Sequence, residues 1–335
     1  MSNGKPKDHY VPQCYLNAFA LEGLEVKNPH IYQYMDNSIV SPRISDIASE
    51  KDFYTFKDKK TGLLIRDIDN ILTNIESAAS LPLKKIIEKN NLDLSDEEFS
   101  YLAQFLAVLV VRTPGFISSQ KSMEEEFIKE HEALQAIDKN NLKKRFKKAG
   151  ISLDTGKELE DIQDFLINKK YTISFGDSRG YFISKGLEMA KNLALVYFQN
   201  KTWHLLISNT DKVFITSDNP VSIFRPIYIP EVYNAGYGNG TLVITISPKL
   251  AILLRDKPYI KNKIILDGQK VDYINKNIMK FSDNYIYSNL KSKKIFETYK
   301  TIGNKHFQKT RVIRHKFAPY IFFQSQPISV EPVYE

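Results

Sequence analysis

Thr202-Trp203-His204-Leu205-Leu206-Ile207 is where the chain changes character. Before it, apolar residues recur at helical spacing. From it onward, short apolar runs separated by turn residues read as strands. Val213-Phe214-Ile215-Thr216, Thr241 to Ile246, Leu250 to Leu254 and Tyr285 to Tyr287 continue that pattern. One helix, about Val271 to Lys280, interrupts it, with Val271, Ile274 and Ile278 on one face. The order predicts an α+β fold: a helix-rich N-terminal lobe over 1–200 with two short strands, followed by a mainly antiparallel sheet lobe over 201–335. The two lobes are expected to form one compact unit.

Upstream, Ile31-Tyr32-Gln33-Tyr34 and Phe53-Tyr54-Thr55-Phe56 read as the two strands. A helix is expected over Ile65 to Lys89, broken or kinked by Pro82. Leu94-Ser95-Asp96-Glu97-Glu98-Phe99 is a capping box inside a hydrophobic staple. The helix it starts is apolar all round to Val111 and belongs in the middle of the fold; Thr113-Pro114-Gly115 stops it. One long helix is expected over Phe116 to Lys148, acidic at its start and basic at its end, and another from Gly180 to Gln199.

Composition narrows the function classes. The chain has 335 residues, 42% hydrophobic and 12% aromatic, enough for a real core and unlike a disordered chain. Its net charge of +8 biases it toward polyanions, so nucleic acid or another polyanion is the candidate partner. The single cysteine, Cys14, allows no intrachain disulfide and fits a reducing cytoplasm. The N-terminus lacks the apolar core of a secretion signal, and the run from Leu102 to Val111 is too short to span a membrane. A membrane partner is therefore not expected.

Several mechanisms are argued against. Gly236-Tyr237-Gly238-Asn239-Gly240 precedes a strand instead of joining strand to helix, so it is not a dinucleotide fingerprint. There is no Walker lysine loop, no H-E-x-x-H and no C-x-x-C, so a zinc site is not expected. Cys14, in an apolar aromatic setting, reads as a small hydrophobe, not a nucleophile.

Three segments carry chemistry. His9, in Asp8-His9-Tyr10-Val11-Pro12, titrates near neutral pH and suits a general acid or base; the plainer alternative is an imidazole bonded to a backbone carbonyl. Asp218 and Asn219, in Thr216-Ser217-Asp218-Asn219-Pro220, follow an apolar run and could bind metal, act as base or orient a histidine; the alternative is an Asx turn. Arg112 ends an apolar helix and could clamp a phosphate, or could simply complement the helix C-terminus. Tyr10, Gln13, Glu76 and Ser217 are the candidate substrate contacts, although Glu76 also reads as an ordinary surface glutamate. Trp203 is expected in the core, with His204 facing the other way. The stretch Lys143 to Lys148 could contact phosphates, or could serve as the basic end of its helix.

In order, H-Y-V-P-x-x-Y-L-x-x-F (His9 to Phe19), R-T-P (Arg112 to Pro114), Trp203 and T-S-D-N-P (Thr216 to Pro220) resemble a bacterial family of unknown function, domain-of-unknown-function family 4238. Ser247-Pro248, Asn275 and Tyr285-Ile286-Tyr287 fit the same pattern, so the resemblance covers about His9 to Ser288. Asp8 departs from it, standing where many members carry a second histidine. The resemblance carries no activity. It implies that His9, Arg112, Asp218 and Asn219 meet in space.

The leading expectation is a hydrolase or nuclease-like enzyme acting on a phosphate-bearing substrate such as RNA. His9 would be acid or base, Arg112 would stabilise phosphate charge, and Asp218 would orient His9. The candidate cofactor is a divalent cation, on Asp218 if on any residue. The alternative is a non-catalytic ligand-sensing or partner-binding module. A third class, a purely structural protein, predicts that Arg112 and Asp218 pair with each other.

Overall fold

The computed structural model describes residues 7–21, 26–57, 61–65, 67–151, 156–176, 178–224, 236–256, 262–302, 311–314 and 321–324. The N-terminal part runs β1 (Lys7–His9), α1 (Gln13–Leu16), β2 (Tyr32–Met35), β3 (Ser38–Val40), β4 (Ser49–Lys51), β5 (Phe56–Lys57) and β6 (Leu64–Ile65). Helices follow: α2 (Asp67–Lys89), α3 (Asp96–Val111), α4 (Pro114–Ala136), α5 (Lys139–Lys148), α6 (Gly156–Ile167) and α7 (Arg179–Gln199). The rest is β7 (Thr202–Ser208), β8 (Thr216–Ser217), β9 (Val221–Phe224), β10 (Thr241–Thr245), β11 (Leu250–Arg255), β12 (Lys263–Leu266), α8 (Gly268–Phe281), β13 (Ile286–Ser288), α9 (Lys293–Ile302), β14 (Arg311–Arg314) and β15 (Ile321–Gln324). Helices concentrate before Thr202 and strands after it, so the fold is α+β.

The main sheet has the order β12-β7-β11-β10-β9, antiparallel except for the β12–β7 pair. Alternation along its strands fills both faces. Leu205, Leu242, Ile244, Ile252 and Leu254 join one core with Leu106, Val110 and Ile183 of α3 and α7. Leu206, Val243, Ala251 and Leu253 join a second core with Ile274 and Ile278 of α8. A second sheet, β3-β2-β13-β8, pairs the N-terminal hairpin with strands from the C-terminal part, Ile286 opposite Tyr34 and Ser217.

The capping box of α3 is present: Ser95 Oγ accepts from the Glu98 amide, and Glu98 reaches back to the Ser95 amide. From Leu102 to Val111 only Gln104 is exposed, and α3 packs between α2 and α7. No single helix among the described residues is long and apolar enough to cross a membrane; α3 with α4 would be, but the pair bends by 63°.

Four expectations need correction. The helix at Asp67–Lys89 runs through Pro82 without a break. The expected helix from Phe116 to Lys148 is two, because Asp138 accepts from the Asn140 and Asn141 amides and starts a new helix. Phe53 and Tyr54 form a turn, entered through Asp52 at φ +53°, and only Phe56–Lys57 is strand. Val213 to Ile215 is not strand: the Phe214 amide donates to the Pro248 carbonyl at 2.8 Å, and Asn275 donates to the Val213 carbonyl at 2.8 Å and accepts from the Ile215 amide at 3.1 Å.

Candidate functional site

Two of the three segments meet at β1, where Arg112 bonds the His9 carbonyl; Asp218 instead bonds the turn after α8. The antiparallel partner of β1, β4, sets His9 opposite Ser49. The His9 ring feels the charges of Arg112 and Glu76, and Tyr10, just past the end of β1, those of Asp218 and Asp283, so two polar clusters result.

The first cluster is anchored by Arg112, the C-cap of α3, which is 3% exposed. Its Nη1 donates to Glu76 Oε1 at 2.6 Å, its Nη2 to the His9 carbonyl at 2.6 Å, and its Nε to Tyr54 Oη at 3.1 Å. Tyr54 Oη donates in turn to the His9 carbonyl at 3.3 Å, and the Tyr54 amide donates to Asp8 Oδ2 at 2.8 Å. The guanidinium is therefore consumed within the chain. Its carboxylate partner is Glu76, not Asp218, which the purely structural reading required.

The His9 imidazole lies beside this pair. Gln13 Nε2 is 3.4 Å from its Nδ1, and its Nε2 is buried without a well-formed hydrogen bond. Burial first, then the Arg112 charge, hold its pKa below the usual histidine value, while the Ser45 backbone pulls the other way. The ring is neutral at pH 7. Cys14, in the same cluster, has its thiol pushed up to about 12, by burial first and then by Glu76, so it is not a thiolate.

The second cluster lies where α3 turns into α4. Thr113 Oγ1 accepts from the Phe116 amide, Pro114 takes the first helical position, and Gly115 follows. Asp283, in the turn after α8, lays its carboxyl over Gly115, and the Gly115 N–H points at it. Asp218 holds that turn in place. Its Oδ1 accepts from the Asp283 amide at 2.8 Å, and its Oδ2 from the Asn284 amide at 2.7 Å and the Tyr285 amide at 3.1 Å. The local turn belongs instead to Ser217, whose Oγ accepts from the Asn219 amide and donates to the Asn219 carbonyl. Asn219 Nδ2 donates to the Phe281 carbonyl at 3.0 Å, its buried Oδ1 has no hydrogen-bond partner, and its side chain lies beside the Tyr237 hydroxyl.

The two carboxyls differ in support. Asp218 is 2% exposed but has three backbone donors. Asp283 is half-buried, and its Oδ2 has no hydrogen-bond partner. Burial, then the Asp218 charge, push Asp283 up to about 8, while the backbone donors limit the burial-driven rise of Asp218 to about 6. The pair therefore keeps its proton on Asp283 at neutral pH, with Asp218 the charged member.

Tyr10 and Tyr237 also face this pair: burial first, then Asp218 for Tyr10 and Asp283 for Tyr237, raise their hydroxyl pKa values well above the ordinary one. Tyr15 ties the opening segment to the same place, bonding Thr216 Oγ1 and the Thr245 carbonyl, both at 2.7 Å.

Of the expected site residues, His9, Gln13, Glu76 and Arg112 thus share one cluster. Tyr10, Ser217, Asp218 and Asn219 share the other. The charges acting most strongly on His9 are Arg112, Glu76 and Lys7. Asp283, Gly115 and Tyr237 were missed by sequence reasoning. Among the described residues no group of three or more His, Cys, Asp or Glu could hold a metal ion, and Asp218, a charged acceptor already met by three amides, is a poor ligand.

No curated protein and no solved structure matches this chain. A family model does match, described as a protein of unknown function, DUF4238, over residues 7–292. All the segments that build both clusters lie inside that span, and the chain belongs to this family.

Proposed function

We propose that this protein is a hydrolase working by acid–base catalysis at the Asp218–Asp283 pair, on a phosphate-bearing substrate. The observation that carries the reading is the unequal support of two adjoining carboxyls, which gives one proton to a half-buried acid and leaves the other ionised. A carboxylate has about four lone-pair sites, and three on Asp218 are taken by amides. In a hydrolysis, water adds to phosphorus and passes a proton to Asp218. The Asp283 proton goes to the departing oxygen. The pair starts and ends with one proton. His9 and Arg112 hold β1 against α3 on this reading; any pull toward phosphate comes from the net charge of +8. The lone Cys14 suits the cytoplasm, the compartment we assign.

The test is Asp283→Asn, which keeps size and loses the acid. Wild-type protein should cleave a chromogenic phosphodiester or a labelled RNA, with rate falling above about pH 8. The variant should lose at least ~100-fold, in the range of general acid catalysis, with an unchanged far-UV spectrum. Full activity in the variant ends the proposal.

A second reading is a ligand-binding module without turnover. What favours it is that Arg112 and Asp218 make their bonds within the chain. It predicts binding of a nucleotide or short RNA, read as a thermal shift, with no product at any pH.

A further inference from the structure

At the far end of α4, the helices α4, α5 and α6 pack on one another beside an open hollow of about 550 Å³. Phe146, Ile151 and Leu166 give it apolar walls, and Arg145 and Lys148 also line it. Arg145 Nη2 is held by both oxygens of Glu132, at 2.8 and 3.1 Å. Its Nη1 is buried and has no hydrogen-bond partner. A guanidinium nitrogen can only donate, so this buried donor beside the hollow is unmet.

Outside it, α5 reads Lys139-Asn140-Asn141-Leu142-Lys143-Lys144-Arg145-Phe146-Lys147-Lys148, and Leu142 is its buried residue. Lys139 is paired with Glu160. Lys143, Lys144, Lys147 and Lys148 are exposed and take part in no ion pair among the described residues. Their spacing stacks Lys143 over Lys147 and Lys144 over Lys148, like charges that repel along one side of the helix. An unneutralised cationic row beside an apolar hollow with an unmet donor matches one chemistry. Phosphates meet the row, and the face of a base fills the hollow.

We propose that α5 and this hollow bind single-stranded nucleic acid, with one unstacked base against Phe146 and the phosphates on the α5 lysines. Glu132, the α4 residue that lines the hollow, is 17 residues along the helix from Gly115, ~26 Å away. Binding is read without turnover, so its failure and the failure of the Asp283 chemistry are separate results.

The experiment is fluorescence anisotropy of full-length protein with labelled U12 and with a 12-base-pair duplex, over a salt series. U12 should bind at least ten-fold more tightly than the duplex, whose bases are stacked away. The variant K143Q/K144Q/K147Q/K148Q, which keeps good helix formers, should weaken U12 at least ten-fold and lower the salt slope by about 2–3, near 0.7 per phosphate contact. Ala149→Glu, an acid placed at the exposed rim of the hollow, should also weaken it ten-fold. Equal affinity for U12 and duplex overturns the proposal. So does wild-type binding by either variant, or binding only to phosphatidylserine vesicles or polyglutamate.

Discussion

Gly115 lies so close beneath Asp283 that a Cβ added at residue 115 would come within 2.1 Å of Asp283 Oδ1. The glycine is thus a matter of space, because it opens the second position of α4 to a carboxyl from a turn 168 residues later in the chain. Gly115→Ala should force the Asp283 turn away and cost about 1–3 kcal/mol, the usual range for overpacking. Urea denaturation measures it. Since alanine is otherwise the better helix former, a gain in stability would show that the carboxyl does not occupy this place.

The Asp283 carboxyl also sets a pH dependence. Its pKa is raised in the folded protein to about 8, so the folded state binds a proton that the unfolded state releases near the ordinary aspartate value. Stability should therefore fall as pH climbs from about 4 to about 8, with Asp218 adding to the early part of the fall. Asp283→Asn should flatten that decline and leave the variant more stable than wild type at pH 9. Thermal melts at several pH values decide it; parallel curves for the two proteins would contradict the assignment.

Arg112 is a buried cation whose pairing with the part-exposed Glu76 is expensive to break. Arg112→Ala strips the His9 carbonyl and Tyr54 Oη of donors and leaves Glu76 charged, so a loss of ~3–5 kcal/mol is expected. Glu76→Gln keeps an acceptor for Nη1 and should cost much less. The Glu76 side chain is 25% exposed, so water screens part of the pair. Equal losses in the two variants, by urea denaturation, would mean that the charge on Glu76 anchors the cluster instead of the guanidinium fork.

These residues also show what a sequence discloses. The start of α3 was legible because its cap is local: Ser95 and Glu98 are three residues apart. The change from helices to strands at Thr202 was legible for the same reason, since the short apolar run of β7 is a property of neighbours. Asp283 was not, because nothing beside it in the chain tells of Gly115 above it or Asp218 behind it. Glu76 read as a surface residue because the guanidinium that draws it inward comes from another helix. The family pattern implied that His9, Arg112, Asp218 and Asn219 meet in space; Arg112 does bond the His9 carbonyl, whereas Asp218 bonds the turn at 283–285, a partner nothing in the pattern announced.

Asn275 shows how far such dependence reaches. Val213 to Ile215 has the apolar composition of a strand, yet the Asn275 amide, from α8, takes the place of a neighbouring strand at the Val213 carbonyl and the Ile215 amide. Thr245 Oγ1 completes the arrangement by donating to the Ile215 carbonyl at 2.8 Å. Asn275 is 6% exposed, so Asn275→Ala would bury one donor and one acceptor unmet, at ~1–3 kcal/mol each. Asn275→Asp would keep the acceptor for Ile215 but set a carboxylate against the Val213 carbonyl, and should cost at least as much. Since this segment leads straight into Asp218, amide exchange at 213–218 should rise in both variants more than exchange in the main sheet. Uniform acceleration across the molecule would mean that Asn275 supports the fold as a whole and does not specifically hold the segment that positions Asp218.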